Sequence, residues 1–351
     1  MEIKISNRKI GDGHPVFFIA EAGVNHNGSL ELGKQLIDVA VEAGADAVKF
    51  QTFKAEELNT EKAPKSSYHI ETTGSDSKQT WFELLKTQEI SKEMHLELMD
   101  YCRKRKIIFM STPYGEQSAD LLEQLGITAF KIASTDANNT PFLDYVAQKG
   151  IPMIISTAMS TMEEVEKAVA IIRKAKLDEF AVLQCTGNYP TSLENTHLRV
   201  MHTFRKKLNC LVGYSDHTQD MINPVAATAM GACIFEKHFT LDKNLPGPDH
   251  RMSLNPQALK ATVIAIRQTE MALGNPKKRV LPEEEENRVK LRKSIVASVN
   301  IPKGTQLQQN MLAIKRPGTG ITPEKLVDLL TYQTNIDISK DTTIQFEMLE
   351  K

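Results

Sequence analysis

Short apolar runs alternate with longer amphipathic stretches through most of the chain. Eight of the runs end in polar or small residues, and they span 16–20, 47–50, 107–110, 129–133, 152–155, 180–183, 211–214 and 232–235. Continuous apolar runs of this length predict strands that are buried on both faces. Amphipathic helices are predicted between most of these strands, including 30–43, 92–104, 118–125 and 162–174.

Eight strand–helix units predict an α/β fold of the (β/α)8 TIM-barrel type, which we assign to residues 1–274. A doubly wound open sheet is the alternative, and it is disfavoured because no glycine-rich dinucleotide fingerprint follows the first strand. Residues 1–15 predict a hairpin with a turn at Gly11–Gly13. The polar connection over 54–85 is too long for a plain strand–helix loop, and we predict that it forms a lid over the barrel mouth.

The pattern changes after residue 274. A Gly/Pro turn and the glutamate run 283–286 indicate a linker or a solvated helix face over 275–290. Short β-like runs at 294–299, 313–315 and 343–346 then predict a small β-rich domain over 291–351. A domain of about 60 residues is only marginally stable by itself, so we expect it to dock on another surface.

Charge and composition exclude several classes of protein. The chain has 43 Lys+Arg against 44 Asp+Glu, so no basic field favours nucleic acid or an anionic membrane as a partner. The N-terminus lacks the apolar core of a signal peptide, and no apolar run is long enough to span a membrane, so we expect a cytoplasmic protein. The 4 cysteines lie far apart and form no zinc or redox motif.

Polar residues follow the predicted strands at their C-terminal ends, where the active site of a barrel lies. They are Glu21, Lys49, Gln51, Thr112, Lys131, Ser134, Ser156, Asn188, Ser215, His217, Glu236 and His238. Lys49 and Lys131 interrupt apolar strands, where an unpaired ammonium group is unfavourable. Either each lysine pairs with a buried carboxylate such as Glu21, or both lysines bind an anionic ligand. Two lysines among several hydroxyl groups favour the second interpretation, with a phosphate or carboxylate as the ligand.

His217 and His238 come at the ends of neighbouring predicted strands, so they can hold a divalent metal ion that keeps open coordination positions. They can also be two separately hydrogen-bonded polar residues. Glu236 could orient a ligand, act as a base or support a metal ligand. Asp249 lies on a rigid Gly/Pro loop that either faces the mouth or is a plain turn. The residues alone therefore indicate a metal-dependent barrel enzyme for an anionic, phosphorylated substrate with a carbonyl partner.

Motifs in a fixed order along nearly the full chain narrow this interpretation. They are 21–28, 49–51, 111–113, 131–134, 156–159, 184–191, 213–218, 236–240, 247–250 and 316–320. With these motifs the sequence resembles the sialic acid synthases, the family that makes N-acetylneuraminate and related nonulosonic acids. The resemblance implies a TIM barrel with a C-terminal SAF (antifreeze-like) domain.

The resemblance also implies a reaction, in which phosphoenolpyruvate condenses with an N-acylated mannosamine-type sugar and phosphate leaves by C–O cleavage. It implies a divalent metal ion, typically Mn²⁺, with Mg²⁺ or Co²⁺ as alternatives, and His217 and His238 correspond to its ligands. The substrate-binding residues correspond to Lys49, Gln51, Thr112, Lys131, Ser134, Ser156, Asn188, Tyr189 and Ser215. The catalytic residues correspond to Glu21, Glu236 and Asp249, and Glu21 is expected to orient or deprotonate a water molecule.

In the family the C-terminal domain reaches across a domain-swapped homodimer, so Arg316 is expected to contact the N-acyl group of the sugar in the partner's barrel. Ala158 stands where many members have glycine, and Gly187–Asn188 lies in a variable stretch. Three kinds of sugar substrate therefore stay possible: N-acetylmannosamine, its 6-phosphate, and the diacetamido-trideoxy sugars that lead to legionaminic or pseudaminic acid.

Two alternative functions fit parts of the pattern. One is another phosphoenolpyruvate-condensing barrel, of the type that makes 3-deoxy-octulosonate or heptulosonate phosphates. The other is a non-catalytic sugar-binding protein. The full-length order of the motifs disfavours the first, and the presence of Glu21, His217 and His238 disfavours the second.

Overall fold

Parallel strands and the helices that connect them make up most of the structure, a computed structural model that describes residues 1–351. The chain divides into two units, Met1–Gly274 and Asn275–Lys351. The strands are β1 (Glu2–Ile5), β2 (Arg8–Gly11), β3 (Phe17–Gly23), β4 (Ala47–Thr52), β5 (Ile108–Pro113), β6 (Phe130–Ile132), β7 (Met153–Ser156), β8 (Phe180–Cys185), β9 (Leu211–Asp216), β10 (Ile234–His238), β11 (Ser294–Ala297), β12 (Leu312–Lys315), β13 (Gln333–Thr334) and β14 (Leu349–Glu350).

The α-helices are α1 (Leu30–Ala43), α2 (Ala55–Leu58), α3 (Ser67–Thr73), α4 (Trp81–Lys86), α5 (Lys92–Arg105), α6 (Glu116–Gln124), α7 (Thr140–Ala147), α8 (Met162–Lys174), α9 (Val200–Leu208), α10 (Ile222–Ala229), α11 (Pro256–Leu273), α12 (Glu285–Leu291) and α13 (Leu326–Leu329). None of them combines the length and the apolar character that a membrane crossing requires.

Strands β3 to β10 form one sheet in the order β5-β4-β3-β10-β9-β8-β7-β6, and every hydrogen-bonded pair is parallel. The two end strands, β5 and β6, lie against each other, so the sheet closes on itself. The predicted (β/α)8 barrel is therefore confirmed, and the doubly wound open sheet is wrong. Each of the eight predicted apolar runs overlaps one of these strands.

Alternate residues of the barrel strands enter two different apolar clusters. In β3, Phe17 and Ile19 join the cluster inside the barrel, whereas Phe18 and Ala20 pack with the residues of the surrounding helices. Both faces of the strand are therefore buried. This double burial explains why the sequence shows continuous apolar runs rather than an alternating pattern.

The N-terminal hairpin fills the barrel interior at the N-terminal ends of the strands. Strands β1 and β2 pair antiparallel. Their side chains Ile3, Ile5 and Ile10 join the apolar cluster inside the barrel. The turn between them contains Ser6 in a left-handed conformation, with φ 55°. The turn predicted at Gly11–Gly13 is present, with the His14 N–H donating to the Gly11 carbonyl oxygen at 3.2 Å, but it follows β2 and does not connect the two strands. Gly11 instead ends β2, where a Cβ atom would lie 2.2 Å from the Met1 carbonyl oxygen. The close approach of the two strands therefore requires glycine at this position.

Capping residues fix the ends of the barrel helices. Thr161 begins α8 with a capping box, because its hydroxyl accepts from the Glu164 N–H and the Glu164 carboxylate accepts from the Thr161 N–H. Such a cap stabilises a helix by about 1 kcal/mol. Helix α1 ends at Gly44, which has φ 82° and donates its N–H to carbonyls of the last turn. These capping residues therefore set where each helix ends and the connection to the next strand begins.

The connection between β4 and α5 carries α2, α3 and α4 and has an apolar cluster of its own. The buried members of this cluster are Val24, Phe53, Ala55 and Leu85. Trp81 and Phe82 of α4 pack against them with part of their surface exposed. The connection is thus held by much less buried apolar surface than the barrel, as expected of an element that can move. Its role as a lid stays a prediction.

The second unit has a small apolar core, made of Ile295, Ala297, Ile301, Leu307, Ile321, Leu329, Ile338, Ile344 and Leu349. Strands β11 and β12 pair antiparallel, as do β13 and β14. The predicted run at 343–346 forms only an isolated bridge between Thr343 and Val296, since the chain turns into a short 3₁₀ helix at Phe346. Residues 275–290, predicted as a linker or helix face, are exposed and include the start of α12.

Candidate active site

A cavity of about 980 Å³ opens at the C-terminal ends of the barrel strands. Every predicted site residue except Arg316 lines it, namely Glu21, Lys49, Gln51, Thr112, Lys131, Ser134, Ser156, Asn188, Tyr189, Ser215, His217, Glu236, His238 and Asp249. Arg316 follows β12 in the second unit, where its side chain is exposed. The structure therefore brings together residues that are far apart in sequence, and it leaves their chemical roles as predictions.

Strand alternation explains how β9 and β10 contribute to the cavity. Glu236 lies opposite Ser215 in the register of the two strands, and the Ser215 hydroxyl donates to Glu236 Oε1 at 3.0 Å. His217 and His238 follow two residues later on the same inward face, because side chains alternate along a strand. Both strands thus direct a polar group and a histidine at the cavity.

Two lysines and two glutamates form a buried network at the base of the cavity. Lys49 Nζ lies 2.6 Å from Glu21 Oε2 and 3.6 Å from Glu236 Oε2. Lys131 Nζ lies 3.5 Å from Glu236 Oε1. All four side chains are at most 6% exposed. The pairing of lysines with buried carboxylates, one of the two alternatives from the sequence, is therefore present, and it leaves both ammonium groups at the cavity surface.

The two carboxylates of this network differ in proton affinity. Burial raises the pKa of Glu21 to about 7, and the neighbouring Glu236 charge acts in the same direction against Lys49. Burial also acts to raise the pKa of Glu236, but Lys131 and Lys49 outweigh it and leave that pKa below its usual range. Near neutral pH, Glu236 is therefore ionised while Glu21 can gain or lose a proton. Neighbouring carboxylates separated in this way are typical of acid–base sites.

The two histidines lie side by side, with ring centroids 5.5 Å apart. His217 Nδ1 lies 2.7 Å from the Thr186 carbonyl oxygen, so Nδ1 carries a proton. Burial acts to lower the pKa of His217, but Cys185 outweighs it and raises that pKa, so a metal at Nε2 would replace a proton there. His238 Nδ1 is buried without a hydrogen-bond partner, 3.9 Å from Asp249 Oδ2. Burial, followed by the proximity of His217, holds the pKa of His238 well below its usual range.

These features fit a metal ion held by two histidine ligands. A metal needs neutral imidazole with a free lone pair, and the low pKa of His238 supplies that form. No cluster of three or more His, Cys, Asp or Glu side chains is arranged to hold a metal. The coordination positions beyond the two histidines would therefore fall to substrate or water.

Aromatic residues line the mouth above the histidines. The Tyr189 ring packs on His217 with centroids 4.2 Å apart and meets His238 edge-on at 6.2 Å. From the connection between β4 and α5, Tyr68 approaches Tyr189 at 6.3 Å, and Trp81 also lines the cavity. The distal wall of the cavity is thus largely aromatic, which suits the apolar faces of a sugar.

Several lining residues were not predicted, chiefly Tyr68, His69, Trp81, Tyr114 and Cys185. The first three belong to short helices in the long polar connection, where no regular period shows which side chains point inward. Trp81 could have indicated from the sequence that this connection contributes to a site, because it is the single tryptophan of the chain and stands in an otherwise polar stretch. Cys185 belongs to no motif that marks it as functional in the sequence, and its Sγ lies 3.8 Å from His217 Nδ1.

The two positions where the sequence departs from the resemblance lie together in the wall. Ala158 is buried and lines the cavity, and its N–H donates to the Ser134 hydroxyl at 3.0 Å. A Cβ atom on Gly187 would lie 3.4 Å from the Ala158 Cβ and 3.2 Å from Met159 Cγ. The wall is therefore tightly packed here, and a larger residue at either position would intrude on the cavity.

Comparison with known proteins agrees with this geometry. Residues 36–278 match the NeuB family and residues 292–350 match the SAF domain. The N,N'-diacetyllegionaminic acid synthase of Legionella pneumophila subsp. pneumophila is 41% identical, over 98% of this chain and 99% of that protein. The N-acetylneuraminate-9-phosphate synthase of Homo sapiens is 37% identical, over 98% of this chain and 95% of that protein.

A solved structure is similar as well. The N-acetylneuraminic acid (sialic acid) synthetase from Leptospira borgpetersenii serovar Hardjo-bovis superposes with a TM-score of 0.73 at 34% identity, covering 82% of this chain and 95% of that one. The matched barrel segment and these relatives all indicate the same family of proteins. The chain therefore belongs to the NeuB family and ends in a SAF domain.

Proposed function

We propose that this protein condenses phosphoenolpyruvate with an uncharged N-acylamino sugar of the mannosamine type, giving a nonulosonic acid and inorganic phosphate. The observation that carries the proposal is a single cavity that joins the Glu21–Lys49–Glu236–Lys131 network to a pair of histidines. The network supplies an anion site and an exchangeable proton, and the histidines lie where a carbonyl group would bind. Relatives over the full length of the chain are named as synthases of such acids.

Phosphoenolpyruvate would bind at the base of the cavity. Lys49 and Lys131 offer two ammonium groups, and Lys49 already donates to the Thr112 hydroxyl at 2.9 Å. The Ser156 hydroxyl is buried without a partner, so it is free to donate to a phosphate or carboxylate oxygen. The Ser134 hydroxyl accepts from a backbone N–H, and its own proton is therefore available to the same ligand. Asn188 adds a further donor at this end of the cavity, and Ser215, whose own proton goes to Glu236, offers its hydroxyl oxygen as an acceptor.

The proposed chemistry uses Glu21 as the proton acceptor. C3 of phosphoenolpyruvate forms a bond to the carbonyl carbon of the open-chain sugar, whose oxygen takes up a proton, and C2 becomes cationic. A water molecule adds to C2 and its proton passes to Glu21, which titrates near neutral pH at a pKa of about 7. The C2–O bond to phosphate then breaks with its electron pair on the phosphate oxygen, while the C2 hydroxyl gives its proton to the departing phosphate and becomes the keto group. The proton on Glu21 balances the one taken up by the sugar oxygen. Glu236 stays ionised and stabilises the cationic carbon by its charge.

We propose His217 and His238 as ligands of a divalent ion, with Mn²⁺ first and Mg²⁺ or Co²⁺ as alternatives. The unpartnered Nδ1 of His238 and the hydrogen-bonded Nδ1 of His217 support this assignment. When bound, such an ion acts as a Lewis acid towards the carbonyl oxygen of the sugar. Tyr189, Gln51 and Asp249 line the same region, and we propose that they orient the sugar.

The lining of the cavity favours an uncharged sugar. Lys49 and Lys131 are its lysines, it contains no arginine, and both ammonium groups are already paired with carboxylates at the base. A 6-phosphate at the distal end would therefore face Leu58, Tyr68 and Trp81 rather than a cation. These apolar surfaces fit the deoxy carbon of a diacetamido-trideoxy sugar, and we propose a product of the N,N'-diacetyllegionaminic acid type.

The SAF domain has a role in the proposed function as well. We propose a domain-swapped homodimer in the cytoplasm, in which the partner subunit's Arg316 contacts the N-acyl group of the sugar. The exposure of Arg316 within the second unit is consistent with this arrangement. The small core of the domain also suits a unit that gains stability by docking.

The experiment is phosphate release together with mass analysis of the product, using phosphoenolpyruvate, Mn²⁺ and a panel of sugars. The panel contains a diacetamido-trideoxy hexose, N-acetylmannosamine, N-acetylmannosamine 6-phosphate and an aldose phosphate, each with and without a chelator. We expect the highest kcat/KM with the diacetamido-trideoxy sugar and loss of activity on chelation. Preference for the aldose phosphate would instead indicate the 3-deoxy-octulosonate type, and absence of phosphate release with every sugar would refute catalysis.

A further inference from the structure

A second buried ion pair lies behind the two histidines, on the outward face of the same strands. Asp216 precedes His217, and Lys237 precedes His238. The register of β9 and β10 places Asp216 and Lys237 opposite each other. Because side chains alternate along a strand, the histidines face the cavity while the ion pair faces the surrounding helices. The proposed chemistry uses neither member of the pair.

Every polar group of this pair has a partner. The Lys237 ammonium binds the Asp216 carboxylate, and it donates to the Thr218 carbonyl oxygen at 2.6 Å. The Asp216 carboxylate accepts from the Thr218 N–H at 3.0 Å and from the Asn223 amide at 3.3 Å. The two side chains are 2% and 0% exposed. Asp216 and Thr218, which flank His217, are thus both hydrogen-bonded to Lys237, which precedes His238.

Stability alone does not account for such a pair. Removing two charges from water is unfavourable, and the attraction between them roughly offsets this loss, so apolar replacements are often neutral or stabilising. The hydrogen bonds, however, are directional and fix backbone positions on both strands. They hold Thr218 and Asp216 at fixed distances from Lys237 and therefore limit how far the ends of β9 and β10 can separate.

We propose that Asp216 and Lys237 are positioning residues that set the separation and orientation of the His217 and His238 rings. The ring centroids lie 5.5 Å apart. His217 lies directly after β9 and His238 is the last residue of β10, so each ring is held by a different strand. Loosening the pair would let the two strand ends move independently, so the separation and relative orientation of the two rings would no longer be fixed. This inference rests on the proposed function, in which both rings hold the divalent ion.

The test uses the full-length chain and the double variant Asp216→Asn/Lys237→Met, which removes both charges at similar side-chain volume. Three quantities are compared with the wild type: the dissociation constant for Mn²⁺ without substrate, the steady-state kcat and KM, and the thermal unfolding midpoint. We expect Mn²⁺ binding to weaken about tenfold or more, as for other groups that orient metal ligands. We expect kcat to fall at least tenfold, KM for phosphoenolpyruvate to change little, and the unfolding midpoint to shift by only a few degrees.

Lys149→Met is the matched control. Lys149 is another lysine of the barrel unit, paired with Asp120 and Glu123, none of which lines the cavity, and its loss should leave Mn²⁺ affinity and kcat unchanged. Wild-type Mn²⁺ affinity and kcat in the double variant would overturn the inference. A large fall of its unfolding midpoint, with losses in proportion, would also overturn it, because the pair would then be structural. A wild type that releases no phosphate refutes the proposed function separately, since the Mn²⁺ comparison needs no substrate.

Discussion

Two buried ion networks lie on opposite faces of the barrel sheet, with β10 contributing to both, and they differ in how completely they are hydrogen-bonded. The inner network of Glu21, Lys49, Glu236 and Lys131 borders a cavity, and Glu236 Oε2 has no hydrogen-bond partner. The outer pair of Asp216 and Lys237 leaves no buried side-chain atom without a partner. Both are fully buried and both contain lysine and carboxylate.

The comparison shows that burial and charge do not by themselves identify a site. A saturated network holds backbone in place, because each of its groups is already used. An unsaturated network has groups left over for a ligand. Within the inner network, burial raises the pKa of Glu21 to about 7. The expected consequences differ: changes in the inner network should act on chemistry, and changes outside it should act on stability or geometry.

The largest effect is expected for Glu21→Gln in the inner network. This variant keeps the shape but removes the group that accepts the proton of the attacking water, so we expect kcat to fall by at least about 100-fold. Phosphate release under saturating substrates measures it. Glu97→Gln, an exposed glutamate of α5 paired with Lys34, is the matched control and should keep full activity. A Glu21→Gln enzyme with more than a tenth of wild-type kcat would remove Glu21 from the proposed chemistry.

Arg316→Ala tests whether the inner site needs a group that its own barrel unit does not supply. We expect loss of most activity, through a higher KM for the sugar, with the unfolding midpoint unchanged, because the side chain is exposed. Lys315→Ala, its exposed neighbour paired with Asp341, is the control. Unchanged kinetics for Arg316→Ala would contradict the proposed dimer contact.

The pH dependence of stability should separate the inner network from buried histidines elsewhere in the barrel. Burial lowers the pKa of His26 to about 4 and that of His250 to about 4. The unfolded chain then binds more protons between about pH 6.5 and 4, so these groups stabilise the fold above that window and lose the effect as pH falls through it. Glu21, with its pKa raised to about 7, acts oppositely and loses stability as pH rises from about 4.5 to 7.

Thermal unfolding midpoints of the wild type and Glu21→Gln at several pH values between 4.5 and 8 measure both effects. We expect the variant to gain stability relative to the wild type as pH rises, because only the wild type must bury the Glu21 charge. In the variant the histidines act alone, so its midpoint should rise more steeply with pH. Parallel curves for the two proteins would show that Glu21 has an ordinary pKa.

The smallest effect is expected at the distal wall. Trp81→Ala removes apolar surface that faces the sugar but leaves the anion site intact, so we expect KM for the sugar to rise several-fold with KM for phosphoenolpyruvate unchanged. Leu96→Ala, a half-exposed leucine of α5, serves as the control. Equal increases in both KM values would place Trp81 in the folding of the connection rather than in sugar binding.

Much of the fold was predictable because the barrel strands are buried on both faces and each ends where polar residues begin. That pattern located Lys49, Lys131 and the two histidines on different strands but at the same end of the barrel. It offered the pairing of a lysine with Glu21 only as the less favoured of two alternatives, and it did not reveal the relation of Asp216 to Lys237, since strand register brings these side chains together. Tyr68 and Trp81 were missed because short helices in a long connection carry no period that fixes their direction.

The N-terminal hairpin has a consequence for the sequence of binding events. Its Ile3, Ile5 and Ile10 fill the interior at the N-terminal strand ends, so reactants reach the lysines from the opposite end, past Tyr189 and the aromatic wall. The anion site is the deeper of the two, and a sugar seated between Tyr189 and the histidines would obstruct it. With the proposed sites, we therefore expect ordered kinetics, with phosphoenolpyruvate entering first and the sugar second.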